Sequence, residues 1–420
     1  MFAALVLAGV VLRPIALDDP VLDVRVADID LDGHEDVVAI TQKELLLFRG
    51  TAKGLETTPA VRRPAPALTV VGRGLLGIVR EGRYRTISNP LKEWTEGEPA
   101  FASLLGALGT GEPALVSAPG DLDGDGRDDV VLATPDGMRA GAFRLPVTPR
   151  ANLEIKDNET FAVRYEIPVP VIGRWRATGR QVLFVGRDAI VAFEGGKEVE
   201  RVPLPPPPEG EDPQSIARRH ILVRDVDADG RLDMIVVQAK GAMRLFSVFE
   251  GVAAYFRGAV YDFEKKRFRA PSVRKVPGAL LRPALVDVDG DRDLDLILST
   301  VQTSGLGAVT GKAPGVSYLF LFEDGDFSRR PGWTYKTFVP MANLGVVPHS
   351  PVTFLPDLDG NGFGELIDQS NGVLLAEAAA KGSFNILKFE KFPSTGAPAV
   401  GRQRAAVPGE TGLLVVEVKR

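Results

Sequence analysis

Five short runs in this chain place acidic side chains at alternate positions: DIDLDGHED from Asp28, DLDGDGRDD from Asp121, DVDADGRLD from Asp225, DVDGDRDLD from Asp287 and DLDGNGFGE from Asp357. Positions 1, 3 and 5 are Asp28, Asp30 and Asp32; Asp121, Asp123 and Asp125; Asp225, Asp227 and Asp229; Asp287, Asp289 and Asp291; and Asp357, Asp359 and Asn361. A fourth acid stands at position 9, as Asp36, Asp129, Asp233, Asp295 and Glu365. Oxygens at alternate positions of a tight loop can converge on one point, which suits a hard cation such as calcium with its six to eight oxygen ligands. Position 7 would add its backbone carbonyl, from His34, Arg127, Arg231, Asp293 and Phe363, with the side chains turned outward. Glycine at position 6 (Gly33, Gly126, Gly230 and Gly362) allows the positive φ of the wrap.

The opening of each run also fits an EF-hand, but that loop needs a bidentate Glu at position 12 and helices on both sides. Position 12 holds Ala39, Leu132, Val236, Leu298 and Asp368, and strand-like aliphatic residues surround it. Nineteen acids at positions 1, 3, 5 and 9 repel one another unless cations neutralise them, so up to five calcium ions are expected as structural ligands. Calcium at ten times Kd adds about 1.4 kcal/mol per site, or about 7 kcal/mol for five. The fourth loop has Arg292 where glycine is expected, at a cost of roughly 1 kcal/mol. The fifth loses a charge at Asn361. Both are expected to bind more weakly than the first three.

These loops need strands to hold them. Each is followed by a short β-branched or aliphatic run, and the starts lie 93, 104, 62 and 70 residues apart. The two wide gaps each hold a further copy without the acids. Residues 66–88 carry Gly72-Arg73-Gly74 at the turn, and residues 170–196 carry Thr178-Gly179-Arg180; neither is expected to bind metal. The tail, residues 396–418, supplies about three strands, and residues 10–17 (VVLRPIAL) can complete that last unit. Such pairing of the termini removes an open edge. The expected fold is therefore an all-β propeller, with eight blades favoured over seven and both termini in one blade. It is a single domain over residues 13–420. Residues 247–261 and 300–315 exceed the rhythm; the first has the apolar spacing of a short helix and the second reads as a Gly-rich loop. The proline run at 203–213 is an extended connection.

Composition agrees: 45 Gly and 32 Pro suit many strands and tight turns, not a helical bundle. Absence of cysteine excludes disulfides, thiolate metal sites and cysteine nucleophiles. A net charge of −5 with scattered basic residues offers no nucleic-acid groove, and the cluster Lys265, Lys266, Arg267 and Arg269 reads as a solvated hairpin. The apolar run at residues 2–12 is too short to span a bilayer. It is either a signal-peptide core cleaved near Ala8 or a strand that helps close the fold. No serine-nucleophile, zinc-protease or phosphate-loop motif occurs, and the one GxGxxG match, at residues 72–77, is followed by strand-like sequence. His34, His220 and His349 read as loop or strand residues, and Trp94, Trp175 and Trp333 as blade packing.

The repeated acidic loop followed by a strand resembles the FG-GAP or VCBS-type repeat, the unit of the integrin α-subunit propeller. The repeats cover nearly the whole chain, although the Phe-Gly and Gly-Ala-Pro signatures survive only in pieces such as Gly396-Ala397-Pro398. This resemblance implies a calcium-binding propeller; it does not imply integrin-like adhesion. The expected function is a monomeric, non-catalytic scaffold that presents loops to a protein or glycan in a secreted, periplasmic or cell-surface setting, where Asp-rich loops of about 10⁻⁴ to 10⁻³ M affinity would fill. The alternative is a carbohydrate-active enzyme, a lyase or hydrolase, with its site on inserted propeller loops.

Overall fold

The computed structural model describes residues 9–81, 83–97, 100–102, 120–134, 137–140, 143–145, 150–157, 160–166, 169–175, 179–185, 189–204, 218–239, 253–258, 261–262, 267–268, 272–301, 312–340, 350–379 and 382–418. The fold is all-β and is built of propeller-type blades, four-stranded antiparallel meanders whose strands follow one another in the chain. Among the described residues no helix is long and apolar enough to cross a membrane. The chain divides into two compact units, Arg25–Pro205 and the combination of Met1–Val24 with Pro206–Arg420.

In the unit Arg25–Pro205, the first acidic loop joins Val21–Ala27 to Asp36–Thr41, and Glu44–Phe48 and Val61–Pro64 complete that sheet. The copy without acids forms Leu68–Gly72, Leu75–Arg80 and Arg83–Ser88, edged by Thr95–Glu96 and Ala100–Ala102. Its GxGxxG match is a turn between two strands. Ile29, Val38, Leu45 and Leu47 of the first sheet pack on Leu76, Ile78 and Ile87 of the second. The other acid-free copy forms Val169–Gly173, Gln181–Val185, Ala189–Glu194 and Lys197–Pro203. Its Val182, Phe184 and Phe193 meet Val131, Met138, Ala140 and Leu145 of the sheet behind the second acidic loop. The strands after the first, third, fourth and fifth loops read as nearly continuous aliphatic residues, and successive side chains of each are buried on both faces.

In the other unit, the fourth loop enters a sheet of Ala279–Val286, Asp295–Val301, Lys312–Phe320 and Trp333–Pro340. The fifth enters one of Val352–Phe354, Glu365–Asp368, Val373–Ala379 and Ser383–Glu390. Trp333, Ile297 and Leu319 of the former pack on Phe354, Leu366 and Ala376 of the latter. Residues at the two ends of the chain share the remaining sheet. Val10–Ala16 pairs antiparallel along its whole length with Gly412–Val418, from Val10 opposite Val418 to Ala16 opposite Gly412. Arg13 and Arg404 both pair with Glu417 there. The pairing expected of residues 10–17 is thus present, and Val10 and Leu12 are strand residues of the core; residues 2–8 lie outside those described.

One expectation is met in part and another is corrected. Where eight blades were expected, six sheets of four or more strands are present among the described residues. The second acidic loop leads into a three-stranded sheet and the third into a two-stranded one. The sequence next to these, 103–119 and 240–252, lies outside the described residues. The helical spacing at 247–261 does not produce a helix at 253–258: Ala253–Gly258 is a strand, paired with Ser272–Pro277. Tyr255 and Phe256 favour a pleated surface, and a partner strand supplies the ladder that overrides local spacing. Of the basic hairpin, the described residues show the strand pairing, with Tyr261 opposite Phe268 and Asp262 opposite Arg267. Residues 302–311, 205–213, 263–266 and His349 lie outside the described residues.

Candidate metal centres

Each acidic run folds into the same tight wrap. The position 1 carboxylate accepts from the position 6 amide: Gly33 N–H to Asp28 at 3.2 Å, Gly126 to Asp121 at 3.2 Å, Gly230 to Asp225 at 2.9 Å, Arg292 to Asp287 at 3.0 Å and Gly362 to Asp357 at 2.8 Å. The position 5 side chain accepts from the position 7 amide, as in His34 N–H to Asp32 and Arg127 N–H to Asp125, both 2.8 Å, and likewise at Arg231, Asp293 and Phe363. These bonds turn the backbone around the carboxylates. Position 6 has positive φ in all five loops, including Arg292 at 81°. Position 4 does too, which the acidic pattern did not reveal: Gly124, Gly290 and Gly360 take it freely, whereas Leu31 (62°) and Ala228 (53°) are strained.

The wrap brings carboxylate oxygens to within 4.8 Å of one another in five groups: Asp28, Asp30 and Asp32; Asp121, Asp123 and Asp129; Asp225, Asp227 and Asp229; Asp287, Asp289 and Asp291; and Asp357, Asp359 and Glu365. The sequence-predicted acids at 1 and 3 therefore meet in every loop, and those at 5 in three. Position 9 is mostly used otherwise. In four loops it is the first residue of the following strand, and in the second it stands two residues before it, bridged to Gly120; its side chain reaches back to the position 2 amide, at 3.1 Å in Asp36 to Ile29, 2.9 Å in Asp129 to Leu122 and in Asp233 to Val226, 2.8 Å in Asp295 to Val288 and 3.0 Å in Glu365 to Leu358. Asp36 and Asp295 bind a second amide with the other oxygen, that of Gly50 (2.8 Å) and of Phe322 (2.9 Å). This acid is a latch that ties loop to sheet, a role that the sequence reading missed, and in the second and fifth loops Asp129 and Glu365 also belong to the converging group.

Among the described residues, all five groups fall in the acidic runs rather than in the two acid-free turns. The latch nevertheless survives in one of them. Gln181, fully buried at the start of its strand, accepts from the Trp175 amide at 2.9 Å and donates to Glu194 at 2.9 Å. The signal was its place at the head of a strand, where four of the acidic copies carry their ninth residue. Adjacent loops are also tied together. Leu294 N–H donates to Val226 O and Gly364 N–H to Val288 O, both at 2.7 Å, and in the other unit Asp128 N–H donates to Arg73 O at 2.7 Å.

Burial without a cation is costly for these acids. It pushes the carboxyls of Asp36, Asp233 and Asp295 up to about 7 and that of Glu365 up to about 8; the latch amides oppose the shift and neighbouring acids add to it. Asp289 is raised to about 6, first by burial and then by Asp291. Four carboxylate oxygens in these loops are buried and accept no hydrogen bond: Asp28 Oδ1, Asp225 Oδ1, Asp289 Oδ1 and Glu365 Oε1. An ionised, unpartnered oxygen in such a place costs several kcal/mol unless a cation sits beside it, so the residues of loops 1, 3, 4 and 5 fit a hard divalent ion.

The candidate stacking residues serve the blades. Trp175 is fully buried and its Nε1–H donates to Glu200 at 3.1 Å, and Trp333 donates to Ala379 O at 2.8 Å. Trp94 is covered by the Arg63 guanidinium, 5.2 Å from its ring centre. His220 lies within the strand Arg218–Arg224.

No protein-family model matches the chain, and no curated protein matches it. Among solved structures it is similar to the WD40 domain of SCAP from fission yeast, at 9% identity, a TM-score of 0.47 and coverage of 98% of each chain. BBS1N in its complex with ARL6DN aligns at 9% identity and a TM-score of 0.42, over 98% of this chain and 95% of that one. The V. cholerae biofilm matrix protein Bap1 aligns at 12% identity and 0.36, over 97% and 89%.

Proposed function

We propose that this chain is a calcium-stabilised, non-catalytic β-propeller of eight blades, an extracytoplasmic scaffold that presents its surface to a protein or glycan. One observation carries the calcium reading: four acidic loops each keep a buried carboxylate oxygen with no hydrogen-bond partner beside other converging carboxylates. Calcium suits an all-oxygen set of this flexibility better than zinc, which prefers nitrogen and sulfur ligands in a tetrahedron. The loops bind about as tightly as other extracellular Asp-rich modules, so they fill outside cells and empty in a micromolar cytosol. The eight-blade count follows from eight repeat copies, including the three-stranded and two-stranded sheets behind the second and third loops. The resemblance to FG-GAP-type repeats supports the same reading.

Chelation tests it. At calcium tenfold above Kd, four sites contribute about 5.6 kcal/mol, so removal by chelator is expected to lower the urea midpoint strongly and calcium alone to restore it. An unchanged midpoint, together with no calcium retained in native mass spectrometry, would refute the reading.

A further inference from the structure

The second acidic loop stands apart from the other four. Its sequence is the most regular of the five, with Gly124 and Gly126 at both positive-φ positions. Even so, among the described residues it has no buried carboxylate oxygen without a partner, whereas each of the others has one. Both oxygens of Asp121 accept from the loop backbone, as do those of Asp287 and Asp357: Oδ1 accepts from Gly124 N–H at 2.6 Å and Oδ2 from Gly126 N–H at 3.2 Å. A side chain from a different blade then completes the shell. Arg180 Nη1 lies 3.1 Å from Asp121 Oδ2 and 2.8 Å from the Asp121 carbonyl oxygen, the pair of oxygens at position 1.

Arg180 belongs to the acid-free turn of the sheet that begins at Val169, and its neighbours hold it there. Gly179 before it has φ +76°, and a Cβ at that residue would lie 2.6 Å from Glu194 Oε1. Gln181 after it is the buried latch. The backbone at Arg180 is thus fixed between two constrained residues, and its partly exposed guanidinium carries a charge that no accessible pH removes.

We propose, building on the calcium reading above, that Arg180 is the built-in cation of the second loop, so that the chain takes four calcium ions in its tight class rather than five. The blade that lost its own acids supplies the counter-charge for its neighbour. Competition of this kind needs little energy. If Arg180 occupies the loop ten times out of eleven, the apparent calcium affinity of that loop falls about tenfold, enough to separate it from the rest.

Calcium titration of the full chain by calorimetry, with ions counted by native mass spectrometry, tests this. Wild type is expected to show four tight equivalents. Arg180→Gln is expected to show five, and Arg180→Lys, which keeps the charge, four. Asp123→Asn, at an exposed member of the loop, is expected to leave the wild-type count at four and to return the Arg180→Gln count from five to four. Five equivalents in wild type, a loss of one on Asp123→Asn alone, or a count of four in Arg180→Gln would each overturn the inference. No calcium in any variant would overturn it together with the reading beneath it.

Discussion

The acid-free sheet that begins at Val169 and the acidic sheet that begins at Ala279 solve one problem with different chemistry. In each, the first residue of the second strand is buried and reaches back to hold an amide of the preceding turn, Gln181 to Trp175 at 2.9 Å and Asp295 to Val288 at 2.8 Å. The first does so with a neutral amide and has no acidic cluster. The second does so with a carboxyl pushed up to about 7 beside three more aspartates. The latch is therefore what a blade requires. The charges at positions 1, 3 and 5 are an addition, stable only with a cation.

Removing a latch should have the largest effect. Asp295→Ala strands the amides of Val288 and Phe322 in the interior, and Gln181→Ala strands that of Trp175. Losses of about 3 kcal/mol or more and about 2 kcal/mol respectively are expected in urea denaturation, the latter equal with and without calcium. A loss below about 1 kcal/mol at both would collapse the comparison.

A cluster residue should behave in the opposite way, with a sign that depends on the ion. Asp289→Asn removes a half-buried charge raised by burial and by Asp291. Its melting temperature is expected to rise in chelator, where repulsion is relieved, and to fall by the equivalent of about 1.4 kcal/mol at calcium tenfold above Kd. The same sign in both conditions would assign Asp289 to structure alone.

The smallest effect concerns backbone strain, which separates loops of like charge. Leu31→Gly and Arg292→Gly replace residues at φ 62° and 81° and are expected to stabilise by up to about 1 kcal/mol, while Gly124→Ala, at 88°, should destabilise by a similar amount. Equilibrium unfolding at fixed calcium measures all three, and a loss on both glycine substitutions would show that the wrap depends on those side chains.

Much of this was legible in the sequence because it is local and repeated. The alternate spacing brings the carboxylates of positions 1 and 3 together in every loop and that of position 5 in three, the aliphatic run after it is a strand, and the acid-free copies keep the strand rhythm. The missing last strand of the tail and the spare strand at residues 10–17 are complementary on counting alone, and they pair. Three features required the tertiary structure. Position 4 is left-handed because two hydrogen-bonded turns share one loop, which side-chain chemistry at Leu31 or Ala228 does not announce. Position 9 is a latch because the strand it begins is buried, so its oxygens meet amides that only sheet packing brings near. Arg180 reaches Asp121, 59 residues away, because neighbouring sheets stack face to face. Spacing along a chain encodes contacts within a turn, whereas the partner of a charge across two blades depends on how their faces pack, and packing is a property of the whole unit.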